Sequence, residues 1–229
     1  MEITSTEKKI RLYFSGDKSV EEAFVKEELS KEISENYIDN VGKPCIYLFG
    51  DCHTSGLEYI GDGINYSEIV KKVVKNKYNV INFGKTMLKI DSVLRFKDLF
   101  TPKNIEEGDI AFIWLGTNDL YYGVRPEEVF ENFKKYYDYL ENLGIKVVAI
   151  TAMKRKDVPI IGEGKFEENR IAFNNLVLKN CKYNINIDRR TSLKGSGVFE
   201  KKEEHFTPYG HEVMARIILR KITEFKYAK

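Results

Sequence analysis

The chain has 229 residues, 42% of them hydrophobic and 31% charged, a balance that suits one soluble globular domain with a sizeable core. Lys and Arg number 37 against 35 Asp and Glu, and this interspersed net charge of +2 gives no reason to expect nucleic acid or an anionic membrane as partner. No apolar run approaches the ~20 residues needed to cross a bilayer.

Residues 1–43 are expected to form a helical extension ahead of a main domain at 44–229. Within it "SVEEAFVKEELSKEI" has the pattern of an amphipathic helix, with Ser19 as cap and Glu22 three residues on. Its role is left open between a packing element, a partner surface and the remnant of a larger chain. The N-terminus lacks the basic start and apolar centre of a secretory signal.

Five short apolar runs follow: "CIYLFG" at 45–50, "NVINF" at 79–83, "DIAFIWL" at 109–115, "IKVVAI" at 145–150 and "YNINID" at 183–188. They are almost continuously apolar rather than alternating, as strands are when both faces of a parallel sheet are covered. Helical patterns separate them, at about 65–76, 88–98, 126–143, 166–180 and 208–226. The third is the clearest, with Pro126 in the first turn, acids behind it and Gly144 to stop it. Residues 189–204 form a long polar stretch expected to be a loop. The alternation predicts an α/β fold, an open parallel sheet with helices on both faces and a site beyond the carboxyl ends of the strands.

Three cysteines, Cys45, Cys52 and Cys181, are an odd number at wide spacing, which argues against a disulfide framework and for a reducing, cytoplasmic setting. There is no CxxC, no HExxH and only three histidines, so no metal or other cofactor is expected. Cys45 and Cys181 are expected to be core packing. Cys52 stands where the chain turns after the first strand, and taken alone it reads as a small buried residue.

The blocks "FGDCHTSG", "NVINFGKT", "WLGTNDL" and "HFTPYGHEVMARII" occur in that order, each after a strand or at the last helix. Together they resemble the SGNH hydrolases, or GDSL esterase/lipase family, over nearly all of residues 44–226. That resemblance implies a flavodoxin-like three-layer α/β/α sandwich on a five-stranded parallel sheet. It implies an acyl hydrolase with Cys52 in place of the nucleophilic serine and His205 as general base. The oxyanion donors would be the backbone N–H groups of Gly84 and Cys52 and the amide of Asn118. The substrate would be a small-molecule or carbohydrate acyl ester, with no nucleic acid and no membrane as partner; oligomeric state is left open.

Two departures stand out. The nucleophile is a thiol, which suits thioesters or acyl transfer as well as ester hydrolysis. The position of the family's acid, three before the histidine, holds Lys202, so either Glu203 or Glu204 orients His205 or a backbone carbonyl or water takes that role. An acyltransferase and an inactive scaffold used for binding are the alternatives. Asp51 is expected to hold the nucleophile loop or line the substrate site, and Tyr121 and Tyr122 to form the pocket rim. His211 is expected to be a structural hydrogen-bonder, and His53 to point away from the nucleophile.

Overall fold

The computed structural model describes residues 42–55, 64–156, 158–200 and 205–227. The expected helix at 19–33 lies outside these residues, as do Lys202, Glu203 and Glu204. Five parallel strands, β1 (Cys45–Gly50), β2 (Asn79–Asn82), β3 (Ile110–Trp114), β4 (Lys146–Ile150) and β5 (Asn184–Ile185), form one sheet in the order β2-β1-β3-β4-β5. Between them run α1 (Cys52–Ser55), α2 (Tyr66–Val74), α3 (Ile90–Arg95), α4 (Thr117–Tyr121), α5 (Pro126–Asn142) and α6 (Glu163–Asn180), and α7 (Pro208–Tyr227) follows β5.

The continuous apolar runs are explained by two cores, one on each face. Tyr47, Phe49, Ala111, Ile113, Val147 and Ala149 point to the layer of α3, α5 and α6, where they meet Val93, Phe133, Tyr136 and Phe173. The alternate residues Ile46, Leu48, Phe112, Trp114 and Val148 point to the layer of α2 and α7, against Tyr66, Val70, Met214 and Ile218. The order reverses at β1, which has β2 on one side and β3 on the other. In such a sheet the crevice opens at this switch point, above the carboxyl ends of β1 and β3.

The fifth strand is shorter than its sequence pattern. Residues 187–189 turn into a 3₁₀ helix, because Thr151 Oγ1 takes the Ile187 N–H at 2.9 Å and draws the chain out of the ladder. The expected helix at 88–98 is likewise confined to Ile90–Arg95, entering where Asp119 Oδ2 accepts the Ile90 N–H at 3.0 Å. Part of the polar stretch at 189–204 is ordered by a 3₁₀ turn over Thr191–Lys194. Arg170, buried on α6, ties the end of β4 to that region. It bonds Ala152 O at 3.0 Å, Asp188 at 2.9 Å and Glu167 at 2.8 Å.

Candidate active site

The chain leaves β1 through Gly50 and Asp51 into the one-turn helix α1. Asp51 acts as its cap: the backbone carbonyl accepts from Thr54 and Ser55 at 2.9 Å, and Oδ1 accepts the His53 N–H at 3.1 Å. Cys52 is therefore the first helical residue, buried directly above the sheet. His205 arrives from the other end of the sequence, just before α7. Its Nε2 lies 3.3 Å from Cys52 Sγ across 153 residues of chain. Thus Cys52 and His205, singled out from the sequence, are brought into contact.

Gly84 packs under α1, where no side chain fits: a Cβ there would sit 2.5 Å from Ser55 N and 2.6 Å from Thr54 C. Its N–H, expected to face an oxyanion, donates to Asn82 Oδ1 at 2.8 Å. Asn82 in turn donates to Thr54 O at 2.9 Å, so the "NFG" block clamps α1. Asn118, in α4 beyond β3, is buried; its Nδ2 donates to Leu88 O at 3.1 Å, while its Oδ1 has no hydrogen-bond partner. Asp119 beside it holds the Leu88–Ile90 loop, and burial raises its carboxyl to about 6 against the backbone N–H groups that lower it.

Tyr121 and Tyr122 are half-buried, with rings edge to face at 5.2 Å. The Arg155 guanidinium lies 4.6 Å over Tyr121, and Lys89 Nζ lies 4.6 Å over Tyr122. A cleft of about 640 Å³ opens beyond β4 and β5, bordered by Met153, Lys154, Asp188, Lys194, Phe199 and Glu200. It adjoins the histidine: Glu200 N donates to His205 O at 3.0 Å, and the Phe199 ring packs tilted against Phe206 at 5.2 Å.

His53 does not point away from Cys52. Capping by Asp51 turns its ring back, so that Nδ1 lies 3.0 Å from Asp51 Oδ1 and 3.8 Å from Cys52 Sγ. Burial disfavours charge on this imidazole, yet the facing Cys52 and Asp51 outweigh it and raise its pKa. Burial also opposes ionisation of Asp51, and the His53 charge and hydrogen bonds reverse that, leaving the carboxyl below its usual range. His205 goes the other way: burial, then the His53 and Arg155 charges, bring it down to about 4, with Asp51 opposing. His211, whose Nδ1 accepts from Tyr66 N at 3.4 Å, is lowered to about 4 by burial and by the same His53 charge. Asp51, Cys52 and His53 place donor atoms within 4.8 Å of one another, but Asp51 Oδ1 and His53 Nδ1 already satisfy each other.

The sequence reading missed His53, Asn82 and Arg155. His53 had a signal in its i, i+2 spacing from a capping aspartate, whereas nothing local connects Arg155 to the site.

Fold comparison with solved structures places this arrangement in context. A member of the lipolytic protein G-D-S-L family from Veillonella parvula is 19% identical, with a TM-score of 0.61 over 77% of this chain and 96% of that one. The esterase EstA from Pseudoalteromonas sp. is 11% identical, with a TM-score of 0.64 over 80% of this chain and 98% of that one. The chain has the SGNH hydrolase fold. The acetylxylan esterase Axe2 from Geobacillus stearothermophilus shares it at 15% identity, with a TM-score of 0.59 over 79% of this chain and 94% of that one. No protein-family model and no curated protein matches the sequence. Among the described residues no helix is long and apolar enough to cross a membrane.

Proposed function

We propose that the protein is an acyl hydrolase, acting on ester or thioester bonds through a Cys52 thioester. The observation that carries this reading is the 3.3 Å contact between Cys52 Sγ and His205 Nε2 at the carboxyl end of β1, where this fold opens its crevice. A nucleophile and a base at that distance are the minimum for acyl transfer. Sγ attacks the acyl carbonyl while its proton passes to His205 Nε2. The S–C bond forms, the C–O or C–S bond breaks, and His205 returns the proton to the leaving group. Water then attacks the thioester, giving its proton to His205, which hands it back to Sγ as the acid departs.

Asn118 and the Cys52 N–H are the oxyanion donors in this scheme. Gly84 serves chiefly by giving α1 its place, since its own N–H is taken by Asn82. The fold supports the reading, because the esterase EstA and the acetylxylan esterase Axe2 have it. The cleft beside His205, bordered by Lys154, Lys194, Asp188 and Glu200, suits a polar leaving group such as a sugar.

The test is mass spectrometry after acid quench from p-nitrophenyl acetate. One acetyl group on the Cys52 peptide, released by neutral hydroxylamine and accumulating in His205→Ala, is the expected result. Turnover by Cys52→Ala equal to that of the wild type, with no acetyl on Cys52, would sink the proposal.

A further inference from the structure

The hydrolase reading uses Cys52 and His205 and leaves unexplained a buried ion pair built against both. His53 is 4% exposed and Asp51 3%, and they are joined through both the His53 ring and its backbone N–H. Burying such a pair is costly unless it has a task or full compensation. The His53 ring lies between Trp114 at 5.2 Å, Phe206 at 5.8 Å and the His205 ring at 5.4 Å, inclined to the last by 30°.

Where the pair's field acts follows from distance. Cys52 Sγ lies 3.8 Å from His53 Nδ1 and 3.9 Å from Asp51 Oδ1, so opposite charges at nearly equal range offset each other at the sulfur. The stacked His205 ring has no such symmetry: the His53 charge weighs more on it than the Asp51 charge. Among the described residues, Arg155, whose charge acts on His205 and Asp51, and His211, which feels His53, also couple to this site.

Resting on the hydrolase reading, we propose that His53, tethered by Asp51, is a positioning residue for His205. Its ring fixes the plane of the His205 imidazole by stacking, and its positive charge keeps that imidazole neutral and ready to accept a proton. A protonated His205 beside a charged His53 is also a strong acid, so it yields its proton to the leaving group promptly. Such a base is weak for a serine hydroxyl but adequate for a thiol, whose proton is far easier to remove. The cysteine and the cationic neighbour thus belong together.

The test compares wild type, His53→Phe and Asp51→Asn, reading kcat/KM for p-nitrophenyl acetate from pH 4.5 to 8.5. It also follows the imidazole C–H resonances by NMR; with three histidines in the chain they are separable by His205→Gln and His211→Asn. His53→Phe keeps a flat ring in the stack and removes the charge. With His205 at about 4 in the wild type, some nine-tenths is neutral at pH 5; burial and Arg155 persist in His53→Phe, so a full return to 6.5, with about 3% neutral, bounds the effect. His53→Phe should therefore lose several-fold, and at most roughly thirtyfold, more kcat/KM at pH 5 than at pH 8, with the His205 resonance titrating higher. Asp51→Asn weakens the hold on the His53 charge but also removes a charge that raises His205, so it should move both readouts the same way by less. Parallel pH profiles in wild type and His53→Phe, or a His205 resonance that titrates alike in both, would overturn the proposal.

If no variant turns over substrate, the hydrolase reading fails while the NMR titration still decides the His53–His205 coupling. Protection of buried Cys45 and Cys181 from iodoacetamide reports whether each variant is folded. Should His53→Phe not fold, the wild-type spectrum decides. One histidine charged above pH 8 with two neutral down to pH 5 supports the proposal, and three titrating near 6.5 overturn it.

Discussion

Replacing Gly84 by alanine puts one methyl group where the structure has no room. The new Cβ would meet Ser55 N at 2.5 Å and Thr54 C at 2.6 Å, both backbone, so no side chain can rotate away. Ordinary contact begins near 3.4 Å, so the two segments must part by roughly 0.9 Å. Neither side yields easily. Gly84 N is bonded to Asn82 Oδ1 at 2.8 Å and Lys85 N to Gly50 O at 3.1 Å, while Asn65 and Asn82 hold Thr54 O at 2.7 and 2.9 Å. The overpacking should cost about 1–3 kcal/mol of stability. Part of the displacement passes to α1 and widens the 3.3 Å gap between Cys52 Sγ and His205 Nε2. A misplacement near 1 Å costs on the order of 10²-fold in rate. The assay is kcat/KM for p-nitrophenyl acetate alongside urea denaturation of Gly84→Ala. A variant within threefold of wild-type activity, with an unchanged unfolding midpoint, would refute the argument that this glycine sets the position of Cys52.

Asn118→Ala should lower kcat by about 10²–10³ through loss of the proposed oxyanion donor, with KM moving little; steady-state kinetics checks this. The depressed His205 and His211 make the fold acid-sensitive. A histidine at about 4 when folded and 6.5 when unfolded contributes stability above 6.5 that is lost as pH falls toward 4. For buried His211 the loss is roughly 3 kcal/mol. His53, raised in the fold, is charged in both states below 6.5 and does not mask the trend. Urea midpoints should fall from pH 6.5 to 4.5, less steeply in His211→Asn, whose amide oxygen can still accept from Tyr66 N. Arg170→Ala strips Glu167, Asp188 and Ala152 O of their shared cation and should cost about 2–4 kcal/mol. A lower urea midpoint at unchanged slope is the expected signature.

The strands, the parallel sheet and the order of the site blocks were legible because they rest on local regularities. Apolar runs covered on both faces, helical spacing around Pro126 and Gly144, and turns at Gly50 and Gly84 are written into short stretches. Cys52 and His205 could be named from motif order, but that they meet at 3.3 Å depends on the β1 switch point and the packing of α7. The ends of β5 and α3 were misjudged because Thr151 and Asp119, distant in sequence, take the backbone N–H groups there. The N–H of Gly84 was assigned outward because a motif carries no record of its neighbour's side chain, and Asn82 claims it. His53 shows the limit most clearly. Its place beside Cys52 is in the sequence, but its direction is set by the Asp51 cap, and its charge by the facing Cys52 and Asp51, which outweigh burial among Trp114, Phe206 and His205. Periodicity and turn chemistry are properties of neighbours along the chain, while the electrostatics of a site are a property of neighbours in space.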